Sequence, residues 1–320
     1  MALSKINPTK LSSWKKLVQQ FDKENNHHIN DFFKEENNRV DEFSVSWKDF
    51  YVDFSKNRLS KNTFKLLTSL CKETNLKDNI DKYFNGSFIN ETESRAVLHT
   101  ALRSSGNEEV NKNLNKIINI SDKINNGDRL GYTGKKITDV VNIGIGGSHL
   151  GPEMVTEALS YYSKGIKAHF ISNIDSDFTS KILEKINPET TIFIIVSKTF
   201  STIETIENAN KVRAWFIDSA SEDFLNDHFI CISNNIEATK KFGVSSENIL
   251  SIPEWVGGRF SLWGSVGLVI SIVIGSKNFK DFLRGANEMD IHFKSSPFEK
   301  NISVVLALIS IWYNNFFKCE

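Results

Sequence analysis

The stretch DVVNIGIGGSHLGPE, residues 139–153, decides the fold. A short apolar run reads as a strand. It enters a cluster of glycines (Gly144, Gly146 and Gly147), then Ser148, and then a segment with helical character in which Pro152 stands near the start. A junction of this kind favours an anion, because the first turn of a helix leaves backbone N–H groups without intrahelical partners. From these residues alone the anion is open between a nucleotide pyrophosphate and the phosphate of a small metabolite. A tight turn holding nothing is the plainer alternative.

Downstream the pattern repeats. KAHFISNI, TTIFIIVSK, HFICISN and ENILSIP read as four further strands, and DFTSKILEKI and TIETIENANKVRAWFI as helices between them. Near-continuous apolar strands alternating with helices are what a parallel sheet covered on both faces requires. The expected fold is α/β: a doubly wound, five-stranded parallel sheet flanked by helices, with ligands at the carboxyl ends of the strands. The expected organisation is an N-terminal helical extension over residues 1–50 and a helical segment over 51–130 that packs on the α/β domain. The domain itself is expected over 131–255, and residues 256–320 are read as helices leading to a second domain. FINETESRAVLHTALR, residues 88–103, reads as a further helix. The closing WYNNFFKCE leaves aromatic residues with nothing obvious to cover them, as if the chain were cut from a longer one.

The global balance narrows the function. Lys and Arg number 39 and Asp and Glu 39, so no bulk positive charge supports nucleic-acid binding. Cys71, Cys231 and Cys319 are far apart and lack CxxC spacing, which argues against structural zinc and a disulfide framework and for a reducing compartment. The N-terminus lacks the apolar core of a signal peptide, and the most apolar runs, residues 266–275 and 302–313, are too short to span a bilayer. A cytoplasmic protein without membrane or nucleic-acid partners is expected.

The dinucleotide fingerprint fails here. Counting from Gly144, its third glycine would fall on His149, and Asp175, in the place of a ribose-binding acid, is also what a helix start needs. The GxxxxGK[ST] loop is absent. A second cluster changes the weighing: VSKTFSTIET, residues 196–205, places Ser197, Lys198, Thr199, Ser201 and Thr202 between a strand and a helix. In a doubly wound sheet the ends of the first and third strands can be neighbours at the switch point. Ser148 and this cluster could then surround one phosphate with hydroxyls, backbone N–H groups and a single lysine. Ordinary N-capping accounts for one hydroxyl but not for the group. A third feature, PEWVGGRFSLWGSVG, follows at residues 253–267. Gly257 and Gly258 permit a sharp turn that presents Arg259, either to a developing negative oxygen or to solvent.

Taken together, the sequence resembles the phosphoglucose isomerase (glucose-6-phosphate isomerase) family. The resemblance rests on VDFSKNR (52–58), INETESRAVLHTALR (89–103), NIGIGGSHLGPE (142–153), VSKTFSTIET (196–205) and WVGGRFSLWGSVGL (255–268), in the family's order. It departs at His149, where the family usually has Asp, at Ser201 for Thr, and at Gly264 for Ser or Thr. By this resemblance Gly147 and Ser148 form a first sugar-phosphate loop, and Ser197, Lys198, Thr199 and Thr202 a second that grips a 6-phosphate. Arg259 is implied to stabilise an enediolate-like intermediate between glucose 6-phosphate and fructose 6-phosphate. No cofactor and no metal are implied, and a homodimer is. The family's glutamate base, ring-opening histidine and C-terminal lysine are not in this chain by that resemblance, and Glu254, His99 and His149 do not match their places. A non-catalytic sugar-phosphate-binding module of the same architecture is the alternative.

Overall fold

A computed structural model describes residues 3–319. They divide into two compact units: one holds the residues up to Val97 and those from Glu288 onward, the other runs from Leu98 to Asn287.

The first unit is mainly helical. It contains the helices Ser12–Glu24, Lys61–Glu73 and Ile302–Trp312 and an antiparallel hairpin, β1 (Ser44–Trp47) and β2 (Phe50–Asp53). The tight turn places Lys48 at φ 49°, the left-handed geometry that two-residue hairpin loops favour. Leu17, Phe43, Leu67, Val305 and Trp312 share one core. The closing aromatic residues are therefore not bare, contrary to the sequence expectation. Trp312 is fully buried, its indole N–H donating to the Arg58 carbonyl (2.8 Å), and Phe316 packs on Trp14 with ring centres 5.0 Å apart. The apolar stripe of Ser12–Glu24 supplies the cover.

Residues 88–97 are likewise not the helix their composition suggests. The Asn90 side chain accepts from the Glu93 N–H (3.3 Å) and the Thr92 hydroxyl (2.8 Å), and Ser94 turns into the left-handed region at φ 51°. Local side-chain hydrogen bonding competes with the helix and wins. In the second unit the motif continues as a single 3₁₀ turn, His99–Leu102.

The second unit is a doubly wound α/β layer structure. Its strands are β3 (Asp139–Ile143), β4 (Lys167–Ile171), β5 (Thr191–Val196), β6 (Phe229–Ile232) and β7 (Ile249–Leu250), all parallel, in the order β4-β3-β5-β6-β7. The five-stranded sheet read from the sequence is present. Every residue of β3, β5 and β6 is buried, which is why these strands are apolar throughout rather than alternating. Side chains still alternate between faces. Val140, Ile192, Ile194 and Ile230 pack toward helices Glu108–Asn126 and Leu268–Ile274, and Val141, Phe193, Ile195 and Phe229 toward helices Ser176–Leu183 and Ile203–Ile217. The unit thus extends on both sides of residues 131–255, because those two outer helices complete its core.

His228 ties the amino-terminal end of this sheet to a loop. It is fully buried, donates from Nδ1 to the Thr191 carbonyl (2.7 Å) and accepts at Nε2 from the Tyr132 N–H (2.9 Å). A second proton would break the Tyr132 bond, and burial pushes the group below its ordinary 6.5. A histidine depressed in this way stabilises the fold fully above the unfolded value and loses that contribution as pH falls through 6.5 toward the folded one. His99 and His292 shift in the same direction. The urea midpoint is expected to drop between about pH 7.5 and about pH 5.5, and the drop should be shallower in H228Q.

Candidate functional site

The chain leaves β3 through Gly144, whose N–H donates to the Ile171 carbonyl (3.0 Å), and enters a 3₁₀ turn, Gly146–Ser148. Gly146 sits at φ 59°, a conformation that favours glycine. Gly147 is needed for a different reason. A Cβ there would lie 2.3 Å from the carbonyl carbon of Gly258, so the two glycine-rich segments touch backbone to backbone. Beneath the loop, the Asn142 amide donates to the Ser148 carbonyl (2.9 Å) from a fully buried position in β3. Sequence reasoning passed over Asn142, although one amide within an otherwise apolar strand is a legible signal.

The second loop leaves β5 at Ser197, whose N–H donates to the Ile232 carbonyl (3.1 Å). Phe200 adopts φ 52°, a turn that returns the chain to helix Ile203–Ile217 with Thr202 as its N-cap residue. Parallel pairing of β3 with β5, Ile143 beside Ile195, sets the two loops side by side at the switch point. They and the segment 256–261 enclose a cavity of about 250 Å³.

Gly147, Ser148, Ser197, Lys198, Thr199 and Thr202 all line this one cavity, joined by Gly257, Gly258 and Ser261. Helices Leu150–Ala158 and Ile203–Ile217 both begin beside it, and neither is capped by a side chain, so the partial positive charge of two helix N-termini is available there. The hydroxyls are paired with one another: Ser197 Oγ with Thr202 Oγ1 at 3.1 Å, and Thr199 Oγ1 with Ser201 Oγ at 2.7 Å. In each pair one hydroxyl donates to the other, so one O–H of each pair is left to donate to an oxyanion entering the cavity.

Two expected residues stand differently. The Lys198 ammonium is turned to the carbonyls of Pro253 (3.4 Å), Glu254 (3.3 Å) and Val256 (3.3 Å) and to the Glu254 carboxylate (3.3 Å). Arg259 is exposed on the turn that borders the cavity, with its guanidinium over the Phe260 ring (4.8 Å). The Phe260 ring in turn stacks on His99, 4.0 Å between centres and 7° from parallel. Burial, with the charges of Arg103 and Arg259 adding to it, pushes His99 down to about 4, so it is neutral near pH 7. Asp175 is occupied in capping helix Ser176–Leu183, accepting from the Asp177 (2.9 Å) and Phe178 (3.1 Å) N–H groups. That is the helix-start role its position suggested. His149 pairs with Glu153 (2.9 Å) one helical turn on.

With this geometry in view, comparison with known proteins is decisive. The family model described as phosphoglucose isomerase matches residues 53–320. The chain belongs to the phosphoglucose isomerase family. Among curated relatives, the glucose-6-phosphate isomerase of Christiangramia forsetii is 49% identical over 99% of this chain and 61% of its own length. That of Buchnera aphidicola is 48% identical over 99% and 60%. The chain thus spans about 60% of the length of these relatives. A crystal structure of a glucose-6-phosphate isomerase from Chlamydia trachomatis superposes with a TM-score of 0.84 at 22% identity, covering 97% of this chain and 61% of that one. That likeness speaks for the fold. Among the described residues, no group of side chains is arranged to hold a metal ion, and no helix is long and apolar enough to cross a membrane.

The glycine contact yields a test. Gly147→Ala would drive a methyl group into the Gly258 backbone, so the loop must move. Its affinity for inorganic phosphate is expected to fall by about tenfold or more while the far-ultraviolet circular dichroism stays that of the unsubstituted protein.

Proposed function

We propose that this chain supplies the phosphate-holding and charge-stabilising part of an active site that interconverts glucose 6-phosphate and fructose 6-phosphate. The observation that carries the reading is the convergence of Ser148, Ser197, Thr199 and Thr202 beside two uncapped helix N-termini, in a cavity bordered by the turn that bears Arg259. Neutral donors and helix ends suit the monophosphate of a polar sugar, whose binding energy can then hold the reacting carbons in place.

In the reaction, a base removes the proton from C2 of the opened aldose and an enediolate carries the charge until a proton is returned to C1. The negative oxygen is where a guanidinium contributes, since it stays charged in a partly dry site. The base, the ring-opening histidine and a further lysine are read as lying outside this chain. The full-length protein is read as a cytoplasmic homodimer that requires neither metal nor nucleotide, working in glycolysis and gluconeogenesis.

In the full-length protein, calorimetry is expected to show fructose 6-phosphate binding far more tightly than fructose. Equal affinities would exclude the phosphate site. Thr202→Val should weaken the phosphate ester by about 1–3 kcal/mol for the lost buried bond. Arg259→Ala should lower kcat by about a hundredfold or more with KM little changed, since the oxygen it serves is charged only along the reaction. A loss confined to KM would place the arginine on the ground-state sugar. Tight phosphate-ester binding without any turnover would instead favour a sugar-phosphate-binding module.

A further inference from the structure

Lys198 belongs to the phosphate loop by sequence and lines the cavity, yet its ammonium lies against main-chain carbonyls of another segment. An ammonium has three N–H donors. Three carbonyls meet it here, those of Pro253, Glu254 and Val256, at 3.3–3.4 Å, and the Glu254 carboxylate lies 3.3 Å away. The donors that could have reached a phosphate are already engaged.

The main chain of Lys198 is fixed just as firmly. Its carbonyl accepts from the Asn234 N–H (2.9 Å) and the Ser233 hydroxyl (3.2 Å), which follow β6. Asn234 in turn reads the strand end beyond: its Oδ1 accepts from the Ile252 N–H (2.8 Å) and its amide donates to the Ile252 carbonyl (2.7 Å). Hydrogen bonds thus run from the end of β5, across the end of β6, to the segment 252–256. Immediately after that segment come Gly257 and Gly258, and then Arg259 in the 3₁₀ turn Gly258–Trp263. Holding the carbonyl side of the segment with one cation restricts where this glycine turn can go.

We propose that Lys198 is a positioning residue: its ammonium ties the segment 253–256 to the phosphate loop and thereby sets where Arg259 stands, rather than binding the substrate phosphate. This rests on the isomerase reading above and deepens it. Phosphate is held by hydroxyls and amides, and the lysine transmits the position of that loop to the arginine. Without the ammonium, three carbonyls lose their common donor and the glycine turn is released, while the hydroxyl cluster is untouched.

The test uses the full-length protein with K198M, K198R and the double variant K198M/R259A. K198M is expected to lower kcat by about a hundredfold, the usual cost of a catalytic group displaced by an ångström. KM for fructose 6-phosphate and the competitive inhibition constant of inorganic phosphate should stay within about threefold of the unsubstituted protein. K198R keeps a charge and several donors and should recover much of the rate. The double variant should be slower than R259A by less than about threefold, because the lysine acts through the arginine. A phosphate inhibition constant raised about tenfold or more in K198M would overturn the assignment, as would losses that multiply fully in the double variant. If K198M does not fold, K198Q is read by the same criteria. Absence of turnover in the unsubstituted protein would strike the isomerase reading itself, whereas turnover there with lost phosphate affinity in K198M would strike only Lys198.

Discussion

The site depends on the pairing of β3 with β5. The chain runs from β3 to β4 on one side, then returns past β3 to place β5 on the other, so two loops separated by about fifty residues leave the sheet edge together. The helices that follow β3 and β5 pack on opposite faces, which opens the crevice between these two strands at their carboxyl ends. Once Ile143 stands beside Ile195, Ser148 and the 197–202 hydroxyls have no other place to converge. The backbone contact of Gly147 with Gly258 then brings a third segment, remote in sequence, onto the same cavity.

The electrostatics of that cavity follow from what is neutral in it. His99, which could have put a positive charge beside Arg259, is held neutral by burial and by the nearby guanidinium groups, and stacks as a flat aromatic surface on Phe260. Lys198 is engaged with carbonyl oxygens. What lines the cavity beside Lys198 is a set of hydroxyls and helix ends, whose geometry is set by the sheet rather than by long flexible side chains. Arg259 then stands on the turn beside the cavity, after a segment hydrogen-bonded back to the hydroxyl-rich loop.

Much of this was legible in the sequence, for identifiable reasons. Strands buried on both faces carry continuous apolar runs, so β3, β5 and β6 announce themselves, and glycines at Gly144, Gly146 and Gly147 mark the place where backbone must come close. The hydroxyl-rich loop could be paired with that place because doubly wound sheets have one switch point. The failures have reasons too. Residues 88–97 carry a helix-like composition, but Asn90 and Ser94 impose local turns that composition does not register. The aromatic run ending at Phe317 looked uncovered because its cover, the stripe containing Trp14, Leu17 and Phe21, lies about three hundred residues earlier in the chain. Long-range pairing of apolar surfaces leaves no local mark.

Lys198 shows what local sequence leaves open within the site itself. A lysine amid serines and threonines in a phosphate loop reads as a phosphate ligand, because charge and proximity in sequence both favour it. Which way a long side chain turns is decided by the acceptors the fold brings near it. Here those are the carbonyls of Pro253, Glu254 and Val256, beyond β7 on the approach to the glycine turn. On the proposed reading the ammonium serves the protein rather than the ligand, and the hydroxyl-rich loop supports the turn that carries Arg259.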